Sequence, residues 1–178
     1  MKKIILLSFI LSLLSFNSLT DWFVYESEKF KISFPEKPTE EEKIAQTLAG
    51  EVKAKTFVYK AKSANEKNLR YYMSVNDLPS SAENLTIEQQ NTSLDAAING
   101  SVRNHKATLI SKKSIELNSY LGREVKMSIN EDKIIAKMKC YIVGNKYYGL
   151  IVYTITQNDN NSEMEEFFNS FKIKDSSK

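Results

Sequence analysis

The residues best suited to chemistry are few in this chain and stand far apart. Cys140 is the only cysteine and His105 the only histidine. A nucleophile needs a base beside it, and a zinc site needs three or four suitable ligands. The acidic runs, Glu40–Glu42 and then Glu163, Glu165 and Glu166, have no polar cluster around them, and no Gly-rich phosphate loop occurs. The sequence therefore predicts no catalytic residues, no metal site and no cofactor, and a hydrolase with an unrecognised site remains an alternative.

Cys140 stands at the start of a predicted β-hairpin, "CYIVGNKYYGLIVY" (140–153). The Gly144-Asn145 pair predicts a two-residue turn that sets Val143 opposite Lys146 and Cys140 opposite Gly149. The turn at 130–133 sets Ile129 opposite Ile134 by the same logic. Both turns place one apolar set on the face that carries Cys140, namely Val125, Met127, Ala136, Met138, Ile151 and Tyr153. Because a reactive thiol needs a nearby cation and some exposure, we expect Cys140 to be a small buried hydrophobic residue.

The opposite face of the same strands is basic and aromatic. It carries Lys126, Lys137, Lys139 and Glu124, with Tyr141 opposite Tyr148 near the turn. We expect a cross-strand ion pair between Glu124 and Lys139. Such a face could bind an acidic partner or a glycan, but lysine stems cover apolar surface well, so a solvated or helix-covered face is favoured.

The elements that position these residues are mostly strands. Alternating apolar residues predict strands at 22–27, 30–35, 51–60, 69–78, 107–117, 123–129, 134–143 and 146–156, with a last short strand at 171–174. "TEEEK" (39–43) is expected to form a charged loop or a helical turn.

Two segments have helical periodicity instead. A capping box of Thr86 with Gln89 begins a helix over 86–104, whose apolar stripe is Leu94, Ile98 and Val102. A second capping box, Ser162 with Glu165, begins a helix that places Met164, Phe167, Phe168 and Phe171 on one face. The sequence predicts one α+β domain over 21–174, a mostly antiparallel β-sheet flanked by helices, and a disordered tail at 175–178.

The first twenty residues have the order of a secretory signal peptide. Lys2 and Lys3 precede an apolar run from Ile4 to Phe16, and cleavage is expected near Ser18 or Thr20. The run is shorter than the roughly 20 residues that span a bilayer, which favours a cleaved signal peptide over an uncleaved anchor. The uncleaved anchor is the alternative. With no cysteine before Cys140, a bacterial lipoprotein anchor is excluded. We predict an exported protein, periplasmic or secreted.

The net charge of +3 falls to +1 without the two signal-peptide lysines. A nucleic-acid-binding protein usually has a concentrated basic excess, so nucleic acid is not expected as a partner.

Four segments in order resemble exported bacterial proteins of the PsbP-like class: "FKISFPEKP" (30–38), "LGREV" (121–125), "CYIVGNKYYGL" (140–150) and "FFNSFKI" (167–173). The resemblance covers most of residues 22–174. It implies an α/β/α sandwich with a central antiparallel sheet, and a class that is mostly non-enzymatic and has members attached to larger assemblies. It offers no catalytic motif to carry over.

Three functions are compatible with these observations. The leading hypothesis is a non-catalytic binding or assembly module of the bacterial envelope, with a protein or an envelope component as partner. The first alternative is a carrier of a small apolar ligand, in a pocket between sheet and helix lined by Tyr71, Met73, Tyr147 and Tyr153. The second alternative is the hydrolase.

Overall fold

The computed structural model describes residues 21–47, 50–78 and 84–174. The predicted signal peptide (1–20) and the predicted tail (175–178) lie outside the described residues. The strands are β1 (Phe23–Glu26), β2 (Phe30–Phe34), β3 (Thr39–Thr47), β4 (Gly50–Lys60), β5 (Asn68–Asp77), β6 (Thr108–Leu117), β7 (Tyr120–Ile129), β8 (Ile134–Val143), β9 (Lys146–Ile155) and β10 (Lys172–Ile173). The helices are α1 (Ile87–His105) and α2 (Ser162–Ser170), and a 3₁₀ turn covers Thr156–Asn158.

The strands form two sheets. A seven-stranded sheet has the order β3-β4-β5-β9-β8-β7-β6, and a three-stranded sheet has the order β1-β2-β10. All of their pairings are antiparallel. The predicted α+β class, a mostly antiparallel sheet flanked by helices, is therefore confirmed. No helix within the described ranges is long and apolar enough to cross a membrane.

The two predicted turns set the register of the central strands. Val143 pairs with Lys146 and Cys140 with Gly149, while Ile129 pairs with Ile134. Gly144 takes a φ of +56°, which the absence of a Cβ permits at no steric cost. The alternation that follows places the predicted apolar set on one face of the large sheet.

Each face of the large sheet has its own cover. Helix α1 lies on the Cys140 face, where Leu94 and Ile98 are buried among side chains of β7, β8 and β9. Its predicted capping box is present, with Thr86 and Gln89 each accepting from the other's backbone N–H. Helix α2 and the small sheet cover the other face, and an aromatic-rich core lies between them and the large sheet. This second layer is thus part helix and part sheet.

The prediction of a loop or helical turn at 39–43 was wrong, because these residues begin β3. They pair with β4 from Thr39 opposite Val58 onward. Both faces of β3 are exposed from Thr39 to Ile44, so no apolar alternation marks the strand. Its glutamates are held instead by a cation across the ladder, since Lys55 Nζ lies 2.9 Å from Glu40 and 3.5 Å from Glu42.

The predicted capping box of Ser162 with Glu165 was also wrong, because Asn161 caps α2. Asn161 Oδ1 accepts from the backbone N–H of Met164 at 3.0 Å. The Asn161 and Asn68 amides hydrogen-bond each other reciprocally, at 3.0 and 2.8 Å. Asn68 is fully buried on β5, so this contact fixes Asn161 in the capping position and leaves Ser162 as the first helical residue.

Candidate functional site

Cys140 is buried as predicted. It is 0% exposed and belongs to the apolar cluster under α1. Burial raises the pKa of the thiol to about 11, although a hydrogen bond with Tyr147 opposes the shift. Because the thiolate is the nucleophile, this environment holds the sulfur in its unreactive form.

His105 is the last residue of α1, and both of its ring nitrogens are engaged. Nδ1 lies 2.8 Å from the Ser101 carbonyl oxygen, and Nε2 lies 2.7 Å from the Tyr153 hydroxyl. Since a carbonyl oxygen can only accept, Nδ1 donates to Ser101, and Nε2 accepts from the Tyr153 hydroxyl. The imidazole ties the end of α1 to β9 and leaves no nitrogen for a substrate.

The basic and tyrosine face of β7 and β8 is covered by α2. Lys137 forms an ion pair with Glu165, and the Lys139 ammonium lies 5.0 Å from the centre of the Phe168 ring. The predicted pair of Glu124 with Lys139 is present at 3.5 Å. Of the two interpretations of this face, the helix-covered one is confirmed.

Glu124 is the carboxylate at the centre of this face. Burial alone would raise the pKa of its carboxyl. The hydrogen bond from Lys113 and the charges of Lys137 and Lys139 more than offset burial, so the pKa is lowered. Glu124 is thus an ionised partner in a salt-bridge cluster. Over the part of the chain that the structure describes, no group of three or more His, Cys, Asp or Glu residues is arranged to hold a metal ion.

The predicted ligand pocket between sheet and helix was wrong. Tyr71 and Met73 point into the core beneath α2 and the small sheet, whereas Tyr147 and Tyr153 pack on the side of α1. Tyr71 pairs with Val152, and alternation along β9 puts Val152 and Tyr153 on opposite faces. Four residues on two faces of one sheet cannot line a single pocket.

A cleft of about 630 Å³ opens at a different place, between the two sheets. Its floor is the end of the large sheet's face, where Val75 on β5 pairs with Tyr148 on β9. Its wall is the β1–β2 turn, with the rings of Tyr25 and Phe30. Phe30 lies 5.8 Å from Tyr148, centre to centre, so the cleft continues the aromatic core outward.

The rim of the cleft is rich in lysine. Five lysines and three carboxylates line it: Lys29, Lys43, Lys53, Lys55, Lys146, Glu28, Glu42 and Asp77. Lys146 forms an ion pair with Asp77, and a hydrogen bond with Glu40 raises the pKa of Lys55. Lys53 has no ion pair with any described residue. Its cross-strand neighbour Ile44 is 63% exposed.

The sequence contained a signal for this cleft. One face of "EVKAKTFVYK" (51–60) carries Lys53 and Lys55 and then Phe57 and Tyr59. Phe57 and Tyr59 are buried, Lys55 is half-buried and Lys53 is exposed. A strand face that changes from aromatic to cationic side chains leaves the core and becomes exposed to solvent. On β4 this change occurs between Phe57 and Lys53, at the floor of the cleft.

The second exposed feature is the edge strand β6. It ends the seven-stranded sheet, and every residue from Thr108 to Ser114 is exposed. The ladder with β7 shifts between Leu109 and Ser111, so Ile110 bulges outward and is 51% exposed. Every second residue of an edge strand directs its backbone N–H and C=O away from the sheet.

No protein-family model matches the chain, and no curated protein does. Several solved structures match in fold, among them the following two. One is the solution structure of a cyanobacterial PsbP protein (CyanoP) from Synechocystis, with a TM-score of 0.46 and 8% identity, covering 78% of this chain and 93% of that one. The other is a Pseudomonas aeruginosa protein of unknown function, with a TM-score of 0.43 and 6% identity, covering 70% of this chain and 90% of that one. Neither similarity assigns a function to this chain.

Proposed function

We propose that this protein is an exported, non-catalytic binding module of the bacterial envelope, and that it recognises an extended segment of another protein along β6. The single observation that carries the proposal is the ten-residue edge strand, exposed on both faces over most of its length. Main-chain hydrogen bonds to such an edge supply affinity, and exposed side chains supply selectivity.

The side chains around β6 favour an added strand. Lys112 and Lys113 are the residues that would block pairing, since charged edges are a common guard against it. Both ammonium groups form ion pairs within this chain, because Lys112 binds Asp95 at 3.0 Å and Lys113 binds Glu124 at 2.9 Å. Leu109 and Ile110 remain exposed at the start of the strand and offer apolar contact.

The other edge of the large sheet is less suited to a partner strand. The exposed part of β3 carries three consecutive glutamates, Glu40, Glu41 and Glu42, and acidic side chains are depleted in strands. Glu41 binds Lys43, but Glu40 and Glu42 share the single cation Lys55, so the stretch keeps an excess negative charge that an acidic partner strand would meet. The contrast between the edges favours β6.

The non-catalytic part of the proposal rests on the accounting of reactive groups. The thiol is buried, both imidazole nitrogens are engaged, and the half-buried carboxylate of Glu124 on β7 is neutralised by lysines. The exported part rests on the sequence of residues 1–20. N-terminal sequencing of the protein recovered from the host's periplasm tests it: a chain that begins near Asp21 supports export, and an intact Met1 from the cytoplasm contradicts it.

Site-specific photo-crosslinking in the host tests the edge. A photoreactive amino acid replaces Ser111, on β6, or Lys60, which is exposed on the interior strand β4. We expect crosslinks to a discrete protein from position 111 and none from position 60. A partner captured equally from both positions, or from neither, would contradict recognition through β6.

A matched pair of variants sharpens the test. Ile110→Lys places a charge on the edge, and Ile87→Lys makes the same change at an isoleucine that is 69% exposed at the start of α1. Both variants should keep the wild-type melting temperature, because both sites are exposed. Only Ile110→Lys should reduce the yield of the crosslink at position 111. A tenfold loss corresponds to about 1.4 kcal/mol of binding free energy.

The second candidate function, a carrier of a small ligand, is favoured by the cleft between the sheets, which lies at the opposite edge of the large sheet from β6.

A further inference from the structure

We propose that the cleft binds a single-chain amphiphile with a carboxylate head, such as a fatty acid, with its chain between the aromatic wall and Val75 and its head at Lys53. This ligand site is independent of the protein-binding edge β6, because the cleft lies toward the β3 edge of the seven-stranded sheet and β6 is the opposite edge.

The floor of the cleft consists of two rows of side chains that run across the strands. In the inner row, Lys55 on β4 pairs with Val75 on β5, and Val75 pairs with Tyr148 on β9. In the outer row, Ile44 on β3 pairs with Lys53 on β4. The inner row changes from the cation Lys55 to the apolar side chains of Val75 and Tyr148, and the outer row sets the exposed Ile44 beside Lys53.

The walls above the inner row are aromatic. Tyr25 and Phe30 stack with centres 5.6 Å apart, and Tyr25 lies 4.4 Å from Phe57 at the inner end. An alkyl chain between these rings and Val75 would remove apolar surface from water on both sides. The volume of about 630 Å³ falls inside the range of about 300–1,000 Å³ typical of small-molecule sites.

The charge at the rim selects the head group. Five lysines and three carboxylates line the cleft, and Glu40 and Glu41 bind two of these lysines from just outside the lining. Lys55 is shared between Glu40 and Glu42, and Lys146 is paired with Asp77. Lys53 lacks an ion-pair partner among the described residues and stands beside the exposed Ile44. A carboxylate at Lys53 would gain a charge-assisted hydrogen bond while the chain covers Ile44.

Titration calorimetry with dodecanoate and with dodecanol, on the full chain, tests the proposal. The two probes share a chain length and differ in charge. We expect dodecanoate to bind about fivefold or more tightly than dodecanol at low salt, because one partly exposed ion pair contributes up to about 1 kcal/mol. Raising the salt to 1 M should remove most of that difference, since salt screens exposed charges.

Three variants separate the head from the chain. Lys53→Gln should weaken dodecanoate about fivefold and leave dodecanol unchanged, since it removes only the charge. Ile44→Ser should weaken both probes by about tenfold, because it removes apolar contact worth about 1.4 kcal/mol. Lys60→Gln, on the same strand β4 but outside the cleft, should change neither affinity.

Hydrogen exchange locates the bound probe. Added dodecanoate should slow exchange in residues 25–30 and 53–55. Absence of binding up to millimolar dodecanoate, equal affinities for the two probes, or protection confined to other segments would each overturn the proposal. None of these results bears on crosslinking at β6, so the two proposals fail separately.

Discussion

The buried sulfur of Cys140 makes a strong prediction about thiol labelling. At pH 8 a thiol whose pKa is about 11 is about 0.1% thiolate, against about 9% at its ordinary value of 9.0. Ionisation alone therefore slows reaction with a disulfide reagent about 90-fold. The side chain is also 0% exposed, so the reagent must wait for the protein to open. If opening is global and costs about 5 kcal/mol, labelling is about 5,000 times slower than for a free thiol, because the opened chain restores the ordinary pKa of the sulfur.

The assay follows labelling by a chromogenic disulfide at pH 8 over a series of urea concentrations. We expect the logarithm of the labelling rate to rise with urea at the slope of global unfolding measured by circular dichroism. The control is Ser111→Cys in a Cys140→Ala background, which exposes a thiol on β6 and should label at the rate of a free thiol. Rapid, urea-independent labelling of the folded wild-type protein would refute an inert Cys140.

Three further predictions concern stability and are measured by urea denaturation. Gly122→Ala should destabilise the fold by about 1–3 kcal/mol, because a Cβ would lie 2.6 Å from a carbonyl oxygen of the neighbouring strand. Gly100→Ala has open space around it and should stabilise α1 by about 0.5–1 kcal/mol. Equal changes in stability for the two variants would contradict the predicted clash at Gly122. Asn161→Ala should cost about 2–4 kcal/mol, because it removes the cap of α2 and leaves the buried Asn68 amide without its partner, and a loss below about 1 kcal/mol would count against the pair. The lowered pKa of Glu124 stabilises the fold at pH values above the unfolded pKa of 4.5, and this stabilisation is lost as the pH falls through the folded pKa. Glu124→Gln should therefore be less stable than wild type at pH 7, and the difference in unfolding free energy should narrow below pH 4.5. A difference that does not change with pH would show that ionisation of Glu124 does not stabilise the fold.

The register of the central hairpins could be predicted because it is local. A two-residue turn at Gly144-Asn145 fixes which residues of β8 and β9 face each other, and side chains then alternate without further information. The position of Cys140 follows from counting four residues back from the turn. The same local logic explains why the capping box of α1 was found, since Thr86 and Gln89 are three residues apart.

Two of the predictions that failed, the cap of α2 and the carrier pocket, depend on contacts between distant segments. The cap of α2 is Asn161 because its amide pairs with Asn68 on β5, which no local pattern around α2 reveals. The carrier pocket failed for the same reason. Alternation predicts that Tyr71 and Met73 share a face, but their relation to Tyr147 depends on the β5–β9 register, across α1 and three strands.

The cleft follows from a mismatch in the lengths of the two sheets. Strand β1 has four residues and spans about 13 Å, whereas β4 has eleven and spans about 36 Å. The small sheet and the nine-residue helix α2 together cover the core face beneath Phe57 and Tyr59, and the ladder of β3, β4 and β5 continues past the β1–β2 turn. An uncovered sheet end of this kind is usually made polar on both rows, because exposed apolar side chains cost free energy in water. Here Val75 is only half-buried below the β1–β2 turn and Ile44 is 63% exposed beside Lys53, so the sequence retains apolar surface where solubility alone would favour its removal. That retention is the reason to expect an amphiphilic occupant rather than a solvated groove.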